Sequence, residues 1–118
     1  MRHIESKIQI GCVTWFRLQY PQYNKLMFSV PNGGSRNARE AGILKAEGVV
    51  AGVSDLLLLI PRGAYHGMAI EMKTDDKTSK QTPAQKEWQQ AVEEQGYKYA
   101  VCRSFDDFME LLNGYLSS

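Results

Sequence analysis

Apolar positions recur at helical spacing from Ile4 to Tyr20, where Ile4, Ile8, Cys12, Trp15 and Phe16 fall at i, i+4 and i+7 type intervals. Pro21 stops that helix. Leu26 to Val30 predicts a short strand, closed by the turn residues of Pro31-Asn32-Gly33-Gly34-Ser35. A second helix is expected from about Asn37 to Glu47, ending near Gly48. Asp55-Leu-Leu-Leu-Leu-Ile60 opens on a continuous apolar run too short for a helix, the mark of a strand covered on both faces. Pro61 and Gly63 turn the chain, and Met68 to Lys73 runs back as the second arm of a hairpin. After a polar stretch over 74–82, Thr82 caps a helix that carries Pro83 at its first position and Gly96 just past its end. Tyr97 to Cys102 is a fourth strand. Ser104 caps a last helix with Phe105, Phe108, Met109, Leu112 and Leu116 on its inner face. The order predicts an α/β domain: a small mixed sheet flanked by helices, with the antiparallel pair from the hairpin and the last strand delivered by a helical crossover.

A length of 118 residues fits one compact domain, and 43 % apolar residues suffice for a core. No apolar run approaches the roughly 20 residues needed to span a bilayer. The start, MRHIESKIQ, carries charge where a signal peptide needs its apolar stretch, so a soluble, intracellular protein with no membrane association is expected. Cys12 and Cys102 lack the paired spacing of a zinc site and are expected as free, buried thiols. Net charge is +1, which announces no nucleic-acid partner. Its distribution is less even. Residues 1–50 hold seven of the Lys/Arg against Glu5, Glu40 and Glu47, while residues 51–118 hold seven against ten acids. A divalent cation among those acids would raise the local charge and make phosphate a plausible ligand.

Glu71 and Lys73 stand two apart in a strand, so both side chains emerge on one face. Their neighbours Leu57–Ile60 and Met68–Ile70 are apolar, which makes charge there costly unless it is used. A turn centred on Gly63 places Asp55 across from Glu71 at the open end of the hairpin. Two carboxylates meeting there repel each other unless a cation lies between them. Oxygen ligands without His or Cys point to Mg²⁺ or Mn²⁺. Such an ion stabilises charge on a phosphate and lowers the pKa of a bound water. Lys73 would orient or deprotonate the attacking water, or hold the phosphate oxygens. On spacing alone, the three residues are equally readable as ordinary charges on an amphipathic hairpin, because Glu-x-Lys is a short and common pattern.

Gly52-Val-Ser-Asp55, an interval of fifteen residues, and Glu71-Met-Lys73 together resemble the PD-(D/E)XK nuclease superfamily. Within it the chain is similar to the VRR-NUC (virus-type replication-repair nuclease) domain. Pro31-Asn32-Gly33-Gly34, Leu44 to Val49, Ala51 to Asp55 and Pro83-Ala84-Gln85-Lys86-Glu87-Trp88 look like segments of that family in its order, and the likeness spans nearly the whole chain. The resemblance implies a restriction-endonuclease-like fold over residues 1–118 as one stand-alone domain. It implies Asp55 and Glu71 as metal ligands, the Met72 carbonyl as a further oxygen donor, and Lys73 as the catalytic lysine. Glu5 looks like the family's helical glutamate, with Gln9 on the same helix face, and Gln85 would face the site from the helix after the loop. The superfamily name calls for Pro before the Asp, where this chain has Ser54. That proline is a backbone preference and not a ligand. The activity implied is a Mg²⁺- or Mn²⁺-dependent DNA endonuclease acting on branched DNA such as four-way junctions or flaps, as a homodimer.

Several of these residues carry plainer readings. Glu5 could be a helix-start carboxylate favoured by the helix dipole. Gln85, three residues after Thr82, could complete a capping box, and the two roles could coexist. Asn32 and the glycines beside it could form only a tight turn. Arg36, Arg39, Lys77 and Lys80 could touch phosphate, with solvated surface as the alternative, while Trp88, Tyr97 and Tyr99 are expected to pack the core. A catalytically silent nucleic-acid-binding or assembly module of the same fold is the competing function, although neither acid nor the lysine is missing. A sequence-specific restriction-type enzyme would need a recognition segment that the chain does not display. The dimer is expected on area: Trp15, Phe16, Tyr20 and Tyr23 are more than one short helix face can bury, and would leave an apolar patch of the kind that marks an interface.

Overall fold

The computed structural model describes residues 2–31, 37–73 and 80–118, with side chains from residue 6 onward. Its elements follow the expected order: α1 (Arg2–Gln19), a 3-10 turn at Pro21–Tyr23, β1 (Met27–Ser29), α2 (Ala38–Ala46), β2 (Leu56–Leu58), β3 (Met68–Met72), α3 (Pro83–Glu94), β4 (Lys98–Cys102) and α4 (Phe105–Leu116). The sheet order is β1-β2-β3-β4. β1 and β2 run antiparallel, as do β2 and β3, and the α3 crossover brings β4 parallel to β3. Leu56 pairs with Ile70, which is the register that sets Asp55 across from Glu71. β1 and β2 are shorter than the apolar runs that contain them. Backbone bonds from Val30 N to Asp55 O and from Leu59 N to Leu26 O, each 2.9 Å, carry the contact past both ends of the β1–β2 pair.

Alternation along the strands divides the sheet into two faces. Met27, Leu56, Leu58, Met68, Ile70, Met72 and Cys102 point to the face covered by α1 and α4, where Cys12, Phe16, Phe108, Leu112 and Tyr115 complete the core. Leu57, Ala69, Glu71, Tyr99 and Val101 take the other face by the same alternation. α3 lies over the β4 side of that second face, with Trp88 edge-on to Tyr99 at a ring separation of 6.2 Å. This asymmetry creates the site: one face is an apolar core, and the other places a buried carboxylate beneath the start of a helix.

The aromatics around α1 pack inward, contrary to the expectation that they form an exposed patch. Phe16 is fully buried, and Trp15, Tyr20 and Tyr23 pack against the core. Trp15 meets Phe105 and Phe108 edge-to-face at 6.3 and 6.1 Å, an arrangement that aromatic quadrupoles favour. The exposed apolar residues of α1 are aliphatic, Ile10 at 63 % and Leu18 at 78 %, and others lie on further elements. α2 buries none of its side chains, and Ile43, Val49 and Val50 are each about half exposed. On α4, Leu116 packs against the core as expected, and Tyr115 joins Phe108 and Leu112 in the buried stripe, where its hydroxyl donates to Ile60 O at 2.7 Å.

Asn37, Thr82 and Ser104 cap the three later helices, each accepting from the backbone N–H three residues on. Cys12 and Cys102 are free, buried thiols, as expected. Burial raises the Cys12 thiol to about 11. It raises Cys102 to about 12, with Asp107 and then Cys12 adding to the effect. Among the described residues, no helix is long and apolar enough to cross a membrane.

Candidate active site

Asp55 lies just before β2, at the open end of the hairpin. Its Oδ2 accepts a hydrogen bond from Met72 N at 2.7 Å, so the carboxylate is fixed to the peptide that joins Glu71 to Lys73's side of β3. Ser54, where the superfamily motif has Pro, is fully buried and donates from Oγ to Leu56 O at 3.1 Å. That bond ties the backbone around Asp55 by a side chain in place of a proline ring, which accounts for the departure from the motif.

Glu71 is 4 % exposed and Lys73 9 %. Charged groups held this far from water need partners. Gln85, in the first turn of α3, supplies one to each: its Nε2 donates to Glu71 Oε2 at 3.2 Å, and its Oε1 accepts from Lys73 Nζ at 3.0 Å. The same Oε1 accepts from Thr82 N at 2.9 Å, while Thr82 Oγ1 accepts from Gln85 N at 3.1 Å. The capping box and the site contact therefore coexist in one side chain. Lys73 Nζ also donates to Lys80 O at 3.4 Å. Lys73 N donates to Cys102 O at 2.9 Å, which extends the β3–β4 ladder one residue past the named strands and holds the lysine in line.

Tyr99 and Gln81 belong to this cluster, although the sequence pointed Tyr99 only to the core. Tyr99 stands opposite Ala69 on β4, on the Glu71 face. Gln81 Nε2 donates to Tyr99 Oη at 3.2 Å and to Gln89 Oε1 at 2.7 Å. Burial, more than any other cause, lifts the Tyr99 phenol to about 12. Gln81 acts against that shift, while the charges of Glu71 and Asp55 and a hydrogen bond with Glu71 add to it. Both carboxylates thus share one neighbourhood with the phenol. Alternation in the sequence made Tyr99 a strand residue without choosing its face; the parallel register with β3 puts it on the Glu71 face.

The remaining expected positions divide. Arg39 is exposed on α2, and Tyr97, expected in the core, is 39 % exposed. The side chain of Glu5, and residues Asn32, Gly33, Gly34, Arg36 and Lys77, lie outside the described residues. Among the described residues, no group of three or more His, Cys, Asp or Glu gathers as a metal site. Asp55 and Glu71, which both act on the Tyr99 phenol, are carboxylates, the oxygen chemistry that suits a hard divalent cation.

A four-stranded mixed sheet with an acid at the hairpin mouth and a Glu-x-Lys pair on the next strand defines a nuclease-type α/β domain with a restriction-endonuclease-like core. The model of the VRR-NUC domain matches residues 5–106, and the chain belongs to that family. A solved structure of a VRR-NUC domain protein superposes with a TM-score of 0.82 at 32 % sequence identity, covering 96 % of this chain and 88 % of that one. A comparison with curated protein sequences gives no match.

Proposed function

We propose that this domain is a Mg²⁺- or Mn²⁺-dependent endonuclease that hydrolyses DNA phosphodiester bonds, with branched DNA as its preferred substrate and a homodimer as its working form. The observation that carries this reading is the pair of contacts from one Gln85 amide to Glu71 and Lys73, next to an Asp55 carboxylate pinned to Met72 N. Membership of the VRR-NUC family supports it.

Asp55, Glu71 and the Met72 carbonyl would hold the cation, with Glu5 as a further family-implied contributor. The bound ion supplies charge stabilisation at the phosphate and a more acidic water. Among the described residues, two of the Lys73 ammonium's three donors are engaged, by Gln85 Oε1 and Lys80 O. The third is left for the attacking water or a non-bridging phosphate oxygen. As the water loses a proton to solvent and its oxygen bonds to phosphorus, the bond to one ester oxygen breaks, that oxygen leaves and takes up a proton from solvent, and negative charge grows on the non-bridging oxygens. A fixed ammonium aimed at that charge lowers the barrier without reorganising. Gln85 keeps Lys73 and Glu71 apart yet aligned, so that the lysine does not collapse onto the carboxylate.

The dimer is supported by the half-exposed Ile43, Val49 and Val50 on and just after an α2 that buries nothing of its own. Two symmetry-related sites suit the two strands that a junction presents. The deciding test is incubation with duplex, single-stranded, flap and four-way-junction DNA in Mg²⁺ and in Mn²⁺. Metal-dependent cleavage greatest on the branched forms is expected. No cleavage of any DNA in either metal would return the domain to a silent binding or assembly role.

A further inference from the structure

β3 and β4 run parallel with Ala69 opposite Tyr99 and Glu71 opposite Val101, so Tyr99 is a diagonal neighbour of Glu71 on one face. Residues two apart in register on adjoining strands are close enough for an aromatic side chain to bridge. Trp88 on α3 meets the Tyr99 ring edge-on at 6.2 Å and limits its swing. The hydroxyl then enters a chain of side-chain hydrogen bonds whose direction is fixed from outside the site. Glu93 is a carboxylate and can only accept, so Gln89 turns its Nε2 to Glu93 Oε2, at 3.3 Å, and its Oε1 to Gln81. Gln81 must therefore present its Nε2, which donates to Gln89 Oε1 at 2.7 Å and to Tyr99 Oη at 3.2 Å. With a lone pair of Oη taken by Gln81, the phenol has its one proton to give. It hydrogen-bonds with Glu71, whose carboxylate accepts.

The chemistry proposed for the site uses Lys73, Gln85 and the two acids, and leaves the Tyr99 hydroxyl without a task. We propose that Tyr99 is a positioning residue, whose hydroxyl, set by Gln81, holds the Glu71 carboxylate still for the divalent cation. The inference rests on the nuclease reading above and deepens it from the ligands to what orients them. A glutamate turns about several side-chain torsions, and stopping that rotation on binding weakens affinity. Gln85 Nε2 donates to Oε2 from α3 and the phenol donates from β4, so a helix and a strand hold one carboxylate in advance. Hydrogen-bond partners that fix the direction of a metal ligand raise the affinity of the site. Both donors lead back to one short segment, because Gln81 and Gln85 stand on either side of the Thr82 cap. The lead-in to α3 thus steers Glu71 twice. A phenylalanine at position 99 would fill the same space beside Trp88 but could donate nothing.

The test titrates Mn²⁺ into the full chain by calorimetry, without DNA, and separately follows DNA cleavage against Mn²⁺ concentration. Tyr99→Phe keeps the ring and removes only the hydroxyl. It should bind Mn²⁺ about tenfold more weakly, as loss of a partner to a metal ligand does. Cleavage should need correspondingly more Mn²⁺ to reach half its maximum, while KM for DNA and the rate at saturating Mn²⁺ stay near wild type. Gln81→Ala, which leaves the phenol in place but lets its hydroxyl turn, should shift the Mn²⁺ titration the same way by a smaller factor. Added to Tyr99→Phe, it should change Mn²⁺ binding little further, because both substitutions break one chain of bonds. A packing role alone would lower the melting temperature and leave the Mn²⁺ titration where it was. Unchanged Mn²⁺ binding in folded Tyr99→Phe, with wild-type binding and cleavage intact, would overturn the positioning role alone. Should that variant melt below the assay temperature, unchanged binding in Gln81→Ala would do the same. A wild type that binds no Mn²⁺ and cuts no DNA would overturn the nuclease reading and the positioning role with it.

Discussion

Gly52 lies directly against the Ala84 carbonyl, closely enough that a Cβ on Gly52 would sit 2.4 Å from that oxygen and 2.8 Å from Gln85 N. The loop that leads into Asp55 thus rests on the first turn of the helix that carries Gln85. The backbone there has φ of +85°, a conformation that L side chains rarely adopt. Two halves of the candidate site, Asp55 from the hairpin and Gln85 from the crossover helix, are held in register by the absence of one methyl group.

Gly52→Ala is therefore expected to cost about 2 kcal/mol or more, because positive φ and a clash with backbone act together. Gly48 is the natural control. Its φ is also positive, at +109°, but nothing lies within 4 Å of its Cβ position. Gly48→Ala should lose only the conformational part, about 1 kcal/mol. Thermal melts of the two variants check the ordering, and DNA cleavage should fall much further for Gly52→Ala than for Gly48→Ala. Equal behaviour would mean that the Gly52 contact positions nothing.

Gln85 can be divided into its two roles by one substitution. Glutamate also completes a capping box and can still accept from Lys73, but it cannot donate to Glu71. Gln85→Glu is expected to keep the helix cap but to melt below wild type and cleave at least about tenfold more slowly, since a second negative charge replaces the donor at the buried Glu71 carboxylate. Gln85→Ala should lose both, with about 1 kcal/mol of stability gone along with turnover. Cleavage by Gln85→Glu at the wild-type rate would leave the residue as a helix cap only.

Much of this site was legible in the chain. The apolar run after Asp55 and the Glu-x-Lys spacing gave the two strands, and the turn at Gly63 gave the register that joins them, because local pairing in a hairpin follows from turn geometry. Thr82-Pro83 and Ser104 marked helix starts through their own short-range bonds. Less legible were contacts set by packing at a distance. Tyr99 looked like one more strand aromatic until the parallel pairing with β3 put it on the Glu71 face, and Trp15 looked exposable until α4 arrived beside it. Neither fact is encoded within a few residues of the side chain concerned.

The three central residues should separate in their effects. Asp55→Asn and Glu71→Gln are each expected to weaken Mn²⁺ binding several-fold or more by calorimetric titration. Lys73→Met, which fills most of the buried volume of the lysine stem, should keep Mn²⁺ affinity and lose most turnover. Unchanged titrations for both acid variants would remove them as ligands. Cleavage by Lys73→Met within about threefold of wild type would remove the lysine from the chemistry.

The two thiols give a pH prediction. Their folded values, about 11 for Cys12 and about 12 for Cys102, lie above the ordinary 9.0 because burial disfavours the thiolate. The fold therefore binds these protons more tightly than the open chain does. That contribution to stability is fully present below pH 9 and is lost as pH rises through 11 to 12. Denaturant midpoints should fall over that window, and the fall should be shallower in Cys12→Ala/Cys102→Ala. Labelling by a thiol reagent at pH 8 should be slow until denaturant is added. Rapid labelling of both cysteines in the native protein would contradict their burial.

The dimer prediction now rests on different residues from those the sequence first offered. Trp15, Phe16, Tyr20 and Tyr23 are spent on the α1–α4 packing and leave little apolar area to share. Ile43, at 50 % exposed, with Val49 at 51 % and Val50 at 53 %, offers alternative apolar surface on and just after an α2 with no buried side chain. An element that buries nothing on its own gains little from folding alone, and a second copy laid against it would supply the missing apolar cover. Light scattering at micromolar concentration is expected to give twice the chain mass of 13.4 kDa. Ile43→Lys/Val50→Lys should return it to the single-chain mass with its melting behaviour largely retained, because neither side chain is in the core. The same variant should lose paired cuts on a four-way junction before it loses nicking. A wild-type mass of one chain, unchanged on concentration and on adding junction DNA, would rule the dimer out and leave a single-cut nuclease acting on flaps as the better description.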